Sequence, residues 1–186
     1  FLQTGDNGKD DSSGSNRTYQ LSKFFTGMWI EPTAIPVRLN HLNKLFIANV
    51  PMNWDTIWIL CLVGAAPALE SLHVHFDNNS EKASAAGSLD VQVEHHPYHH
   101  HLKELVVIGF NGAVWQTGFV KQIIQASPML ERAHLLDGHV VEDEDRELVG
   151  LEIVRRRREW HECERSEVLR VLADGISSPH LEIVLE

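Results

Sequence analysis

The sequence predicts an α/β fold: a short, irregular solenoid with a parallel sheet on one face and helices on the other. Two observations support this. A short apolar strand pattern recurs four times with nearly the same text, as LNKLFIANV from Leu42, LESLHVHF from Leu69, LKELVVIGF from Leu102 and LERAHLLD from Leu130. Helical text ending in small residues and a proline precedes three strand-like segments, as WDTIWILCLVGAAPAL, AVWQTGFVKQIIQASPML and ERSEVLRVLADGISSPHL. Parallel strands need crossover connections, and helices between successive strands supply them.

Taken in order, residues 1–20 read as a flexible leader or loop, because Thr4 to Thr18 contain no apolar residue whose burial could offset the entropy of ordering. The domain is expected to span 21–186. Pro32 and Pro36 bracket an extended segment ahead of the first strand pattern. Three of the four patterns contain Leu-x-x-Leu-x-(Ile/Val), and the fourth follows it with Ala133 in place of the second Leu and Leu135 at the last position, which is the core of a leucine-rich repeat. One such unit cannot bury its apolar face alone, so units stack and share one core.

In the second helical stretch Phe119, Ile123 and Ile124 fall at helical spacing, as do Val168, Leu169 and Leu172 in the third. Each helix is expected to stop near its proline, since the residue before proline avoids helical angles. The interval from Leu42 to Leu69 is 27 residues and that from Leu102 to Leu130 is 28, both within the range of roughly 20 to 29 for leucine-rich repeats. The intervals of 33 from Leu69 to Leu102 and 51 from Leu130 to Leu181 therefore carry insertions, around KASAAGS with the histidines and around VVEDEDRE with RRRRE. Insertions of this kind are expected in loops. HLEIVLE from His180 closes the array.

Composition narrows the function. At 186 residues and 43% hydrophobic, the chain can bury a sizeable core in a single domain. A net charge of −10 argues against general nucleic-acid binding. The longest apolar run, Ile57 to Leu69, is broken by Gly64 and Pro67 and falls short of the roughly 18 residues that cross a bilayer. Cys61 in WILCLVGAAP reads as a small core residue in a reducing compartment, with no disulfide to Cys163. No signal peptide is apparent, and the first residue is Phe1 and not Met, so the chain reads as a fragment or processed product. A cytoplasmic or nuclear location is expected. The sequon at Asn16-Arg17-Thr18 means little without secretion.

The chemistry-bearing motifs are few. No Gly-x-Ser-x-Gly, His-Glu-x-x-His, Gly-rich phosphate loop or Cys-x-x-Cys occurs, so neither an enzyme nor a cofactor is expected. The tract His95-His96-Pro97-Tyr98-His99-His100-His101 has metal-binding chemistry, but adjacent residues in a loop rarely converge tetrahedrally. A solvated loop with no metal is expected there. Arg155 to Arg158 lie between VEDEDRE and ECERSE, which favours local pairing over a phosphate site. His161-Glu162-Cys163-Glu164 opens a charged helical run whose carboxylates suit the positive helix end.

The strands themselves supply the candidate site. Residues between the inward positions face the other side of the sheet, which assigns Lys44, Phe46, Ser71, His73, His75, Glu104, Arg132 and His134 to a partner-binding surface. Ala48, Val106, Ile108 and Leu136 fall on the same face, and the apolar pair Val106 and Ile108 signals a covered stretch.

AAPALESLHVHF, HLKELVVIGFNG, FVKQIIQASPMLERAHLLD and DGISSPHLEIVLE together resemble the C-terminal leucine-rich region of plant F-box proteins, especially the large grass set with FBD-like ends. The likeness runs from about Leu39 to Glu186 and includes the small-residue-Pro-x-Leu-Glu join between helix and strand. It implies a module that selects protein substrates for a cullin-based ubiquitin ligase. The helical F-box expected near the start is missing from this chain, so contact with the ligase adaptor would need an F-box outside it. The alternatives are the repeat end of a plant intracellular immune receptor and a His-rich metal-binding protein.

Overall fold

The computed structural model describes residues 3–4, 17–21, 38–51, 56–78, 99–143, 150–156, 158–174 and 180–186. The elements run β1 (Gln3–Thr4), β2 (Arg17–Leu21), β3 (Leu42–Pro51), α1 (Ile57–Ala65), β4 (Ser71–Asp77), β5 (Glu104–Ile108), α2 (Val114–Ala126), β6 (Arg132–Leu136), β7 (Gly138–Asp143), β8 (Gly150–Arg155), α3 (Glu162–Ala173) and β9 (Glu182–Leu185). Seven strands form one sheet in the order β1-β2-β3-β4-β5-β6-β9, and β7 and β8 form a separate hairpin. From β2 to β9 every neighbouring pair is parallel, and only β1 runs antiparallel to its neighbour. The four related apolar segments thus stand side by side in sequence order, as expected.

Two regions differ from the expectation. The segment read as a leader contributes β1 and β2, with Thr18 to Leu21 paired to Lys44 to Ile47. The insertion after β6 contains the hairpin β7–β8 and is more than a loop. Asn16 of the sequon, the KASAAGS stretch, His95 to Tyr98 and Arg157 lie outside the described residues.

Register explains where the core sits. Leu45, Leu72, Leu105, Ala133 and Ile183 are aligned across five strands, and Ile47, Val74, Val107, Leu135 and Leu185 form the next row on the same face. The three helices among the described residues all cover this face: α1 through Ile59, Leu60 and Val63, α2 through Phe119, Val120, Ile123 and Ile124, and α3 through Val168 and Leu172. Phe76 holds Trp115 and Phe119 edge-on at 4.8 and 5.6 Å between centroids, a geometry the ring quadrupoles favour. Helices α1 and α2 end two residues before Pro67 and Pro128, where the proline restricts its predecessor to extended angles.

The same turn introduces each of the four strands. The backbone N–H of Leu42 donates to Leu39 O, that of Leu69 to Ala66 O and that of Leu130 to Ser127 O, at 3.0 to 3.1 Å. Before β5 the acceptor is a side chain: Leu102 N–H donates to His99 Nδ1 at 3.1 Å. His99 Nε2 donates to Ala66 O at 2.7 Å, and its backbone N–H donates to Ala126 O at 2.7 Å. The expectation of a solvated histidine loop is therefore corrected here. His99 is buried, while His100 and His101 are exposed. His99 thus joins the end of α1, through Ala66, to the end of α2, through Ala126.

At the opposite end of the strands, Gly109 adopts φ +77°, and a Cβ there would stand 2.3 Å from Phe76 O. Its carbonyl accepts from Asn78 Nδ2 and from the buried Gln116 Nε2, so β4, the turn after β5 and α2 meet at one backbone group. Arg158 donates to Asn111 O at 2.9 Å and to Glu164 Oε1 at 2.7 Å while stacking on Trp160 at 4.3 Å. Local pairing within the arginine run is thus observed at Arg158. Cys61 is half-buried and Cys163 is exposed, and the two are not joined in a disulfide.

Candidate functional site

The strand face that no described helix covers presents its side chains in rows set by the register. One row crosses the sheet as Lys44, Ser71, Glu104, Arg132 and Glu182, and the next as Phe46, His73, Val106, His134 and Val184. Strands lie about 4.8 Å apart, so each row is a line of closely spaced groups. Seven of the sequence-predicted residues fall in these two rows: Lys44, Phe46, Ser71, His73, Glu104, Arg132 and His134. His75 lies farther along β4, opposite Ile108.

Their exposure differs. Lys44 and Arg132 are exposed, Phe46, His73, Glu104 and His134 are half-buried, and Ser71 and His75 are buried. Ser71 is covered because its hydroxyl is tied to its neighbours, and His75 because the hairpin lies over the lower half of this face.

Glu104 is the hub of the open half. Ser71 Oγ donates to Glu104 Oε2 at 2.8 Å, His73 Nε2 lies 3.5 Å from the same oxygen, and Arg132 Nη2 stands 3.9 Å from Oε1. Ser71 Oγ is also 3.1 Å from His73 Nε2. The serine proton already goes to Glu104, so the imidazole Nε2–H donates to Ser71. Burial pushes the His73 imidazole below its ordinary pKa, against the pull of the Glu104 carboxylate. Burial alone would raise the Glu104 carboxyl, but hydrogen bonds from Ser71 and His73 and the charges of His73 and Arg132 outweigh it and hold the group below the usual range.

Serine, histidine and acid therefore meet through one ring nitrogen. A nucleophilic relay instead uses the two imidazole nitrogens separately, one toward serine and the other toward the acid. The arrangement is a hydrogen-bonded platform that fixes the carboxylate, with Phe46 edge-on to His73 at 6.0 Å forming an apolar shoulder. Lys44 and Arg132 present cations on either side of it.

The hairpin closes the lower half. Val140 and Ile153 pack with Phe46 against Val106, Ile108 and Leu136, making a small apolar cluster separate from the main core. This accounts for the burial of Val106 and Ile108. The residues of the cover were missed in the sequence, although GHVVED and GLEIVR combine Gly starts with β-branched residues and would support a pair of strands. Among the described residues no group of three or more His, Cys, Asp or Glu side chains is placed to hold a metal ion, and no helix is long and apolar enough to cross a membrane.

Compared with protein-family models, with curated proteins and with solved structures, the chain matches none of them.

Proposed function

We propose that this protein is a protein-recognition module of the leucine-rich-repeat type, whose partner lies on the open half of the outer sheet face. The observation that carries the reading is the aligned row of Lys44, Ser71, Glu104 and Arg132, in which the central carboxylate is held in place by its neighbours and flanked by exposed cations. Side chains fixed before binding lose less entropy on association. Arginine and aromatic groups such as Arg132 and Phe46 are frequent energetic anchors of interfaces. The recurring Leu turn and the strand order support the repeat reading.

The resemblance to the leucine-rich ends of plant F-box proteins extends this to a role in choosing substrates for a cullin-type ubiquitin ligase, with the adaptor contact supplied by an F-box outside this chain. The test is retention of partners from plant extract by the parent and by an Arg132→Ala, His134→Ala double variant, with circular dichroism of both. Partners held by the parent and lost by a folded variant support the surface. Equal retention would place the interface elsewhere, and no retention by the parent would remove the main support for a recognition module.

A further inference from the structure

We infer that the hairpin β7–β8 is a hinged cover over the apolar half of the outer face, lifting as a unit about Asp137 and Arg156 when the covered His75 takes up a proton. The hinge is visible in the backbone. Asp137 N–H donates to Glu186 O at 3.1 Å and Asp137 O accepts from Arg156 N–H at 3.0 Å, which pins the base of the hairpin to the end of β9. Beyond that base, among the described residues, β7 and β8 pair only with each other. A lone two-stranded hairpin is marginal in water, so its order depends on what it rests upon.

That seat is small and partly polar. Its apolar portion consists of Val140 and Ile153 against Phe46, Val106, Ile108 and Leu136. Beside it His75 is only 3% exposed. Its Nδ1 accepts the backbone N–H of Asn49 at 3.2 Å, and Asn49 sits at φ 58° in the irregular stretch of β3 between Ile47 and Val50. His139 Nδ1, on the hairpin, is buried with no hydrogen-bond partner among the described residues. A buried nitrogen left without a partner weakens the closed state.

Protonation acts on this seat directly. Burial lowers the His75 imidazole to about 4, with Asp77 on its own strand opposing the shift and His139 from β7 adding to it. Its neighbours on β3 and β5, Asn49 and Ile108, carry no titratable group. A proton on His75 Nδ1 would point at the Asn49 N–H that this nitrogen now accepts, and the charged ring would face His139 across the seat. Lifting the hairpin lets water reach both rings and uncovers Val106, Ile108 and Leu136 beside the Glu104 platform. The hinge stands on its own; its consequence, a wider recognition face at low pH, rests on the recognition reading above.

The test is amide hydrogen exchange of the whole chain, read by mass spectrometry between pH 7 and pH 5 and corrected for intrinsic exchange, with no partner present. An imidazole near 4 when covered and near 6.5 when open favours opening about twentyfold more at pH 5 than at pH 7. Peptides from β7 and β8 should lose protection by that factor while those from β5 and β6 keep theirs, and His139→Gln and His75→Gln should each reduce the dependence. Three results overturn the inference: hairpin protection unchanged with pH, hairpin and sheet losing protection together, or an undiminished pH response in folded His139→Gln.

Discussion

His99 Nε2 lies 2.7 Å from the carbonyl oxygen of Ala66, and the Nδ1 of the same ring accepts the N–H of Leu102. One neutral imidazole thus does for β5 what a backbone carbonyl does for β3, β4 and β6, and it also ties the end of α1 to the layer that follows. Both ring nitrogens are used, which fixes the tautomer with its proton on Nε2.

His99→Ala should therefore cost more than a surface histidine would. It leaves the Leu102 N–H buried without a partner, takes one of two donors from the Ala66 carbonyl, which keeps the Leu69 N–H, and opens a cavity, for a combined loss of about 2 to 4 kcal/mol. Urea denaturation measures it. A midpoint equal to that of His100→Ala, a change at an exposed neighbour, would remove His99 from this role.

The fold should also be acid-sensitive in a defined window. Burial lowers the imidazoles of His73, His75 and His99 in the folded chain, His75 to about 4. The unfolded chain then binds more protons, so stability is complete above about pH 6.5 and is lost as pH falls toward the folded values. For His75 the whole loss approaches about 3 kcal/mol near pH 4. Denaturation midpoints measured from pH 7.5 to pH 4 should fall steadily, and a flat profile would contradict the burial of neutral histidines.

Leu105 is fully buried in the row of Leu45, Leu72, Leu105, Ala133 and Ile183. Leu105→Ala should destabilise by about 2 to 5 kcal/mol, and the cavity should loosen β4 and β6 together, because stacked strands share one core. Loss of stability with hydrogen exchange altered in β5 alone would argue against that coupling.

The parallel strands were legible because Leu69, Leu102 and Leu130 open near-identical text and because alternation decides which face is inward. Helices α1 and α2 were legible to within their proline stops. What the sequence concealed has physical causes. His99 lies in a run of like residues, and nothing local distinguishes the one whose ring meets the Ala66 carbonyl from its solvated neighbours; the distinction is made by groups 33 positions away. The hairpin was masked by the charged text VVEDEDRE and RRRRE, which outweighed the Gly-led apolar starts at Gly138 and Gly150. Alternation placed Ser71 and His75 on the outer face, but it does not report a hydrogen bond to Glu104 or a cover from another part of the chain.

Gly109→Ala should be damaging out of proportion to its size. The left-handed φ of +77° disfavours any side chain, and the new methyl would stand 2.3 Å from Phe76 O, which is backbone and has little room to move. A loss of about 2 kcal/mol or more is expected from strain and clash together. Thermal unfolding compared with Gly118→Ala, where a Cβ meets nothing within 4 Å, isolates the effect.

Glu104→Gln tests the platform itself. The His73 imidazole is lowered chiefly by burial, and the hydrogen bond and negative charge of Glu104 act in the opposite sense. Removing the charge while keeping the shape takes away part of what favours the imidazolium, so the His73 titration should move further down, not up. The fold should change little, because Gln still offers an oxygen to the Ser71 hydroxyl. An NMR titration of the His73 ring protons in parent and variant gives both midpoints. A His73 midpoint that stays in place or rises would mean that Glu104 does not interact with the ring in solution, and the open half of the face would lose the fixed carboxylate on which the proposed recognition depends.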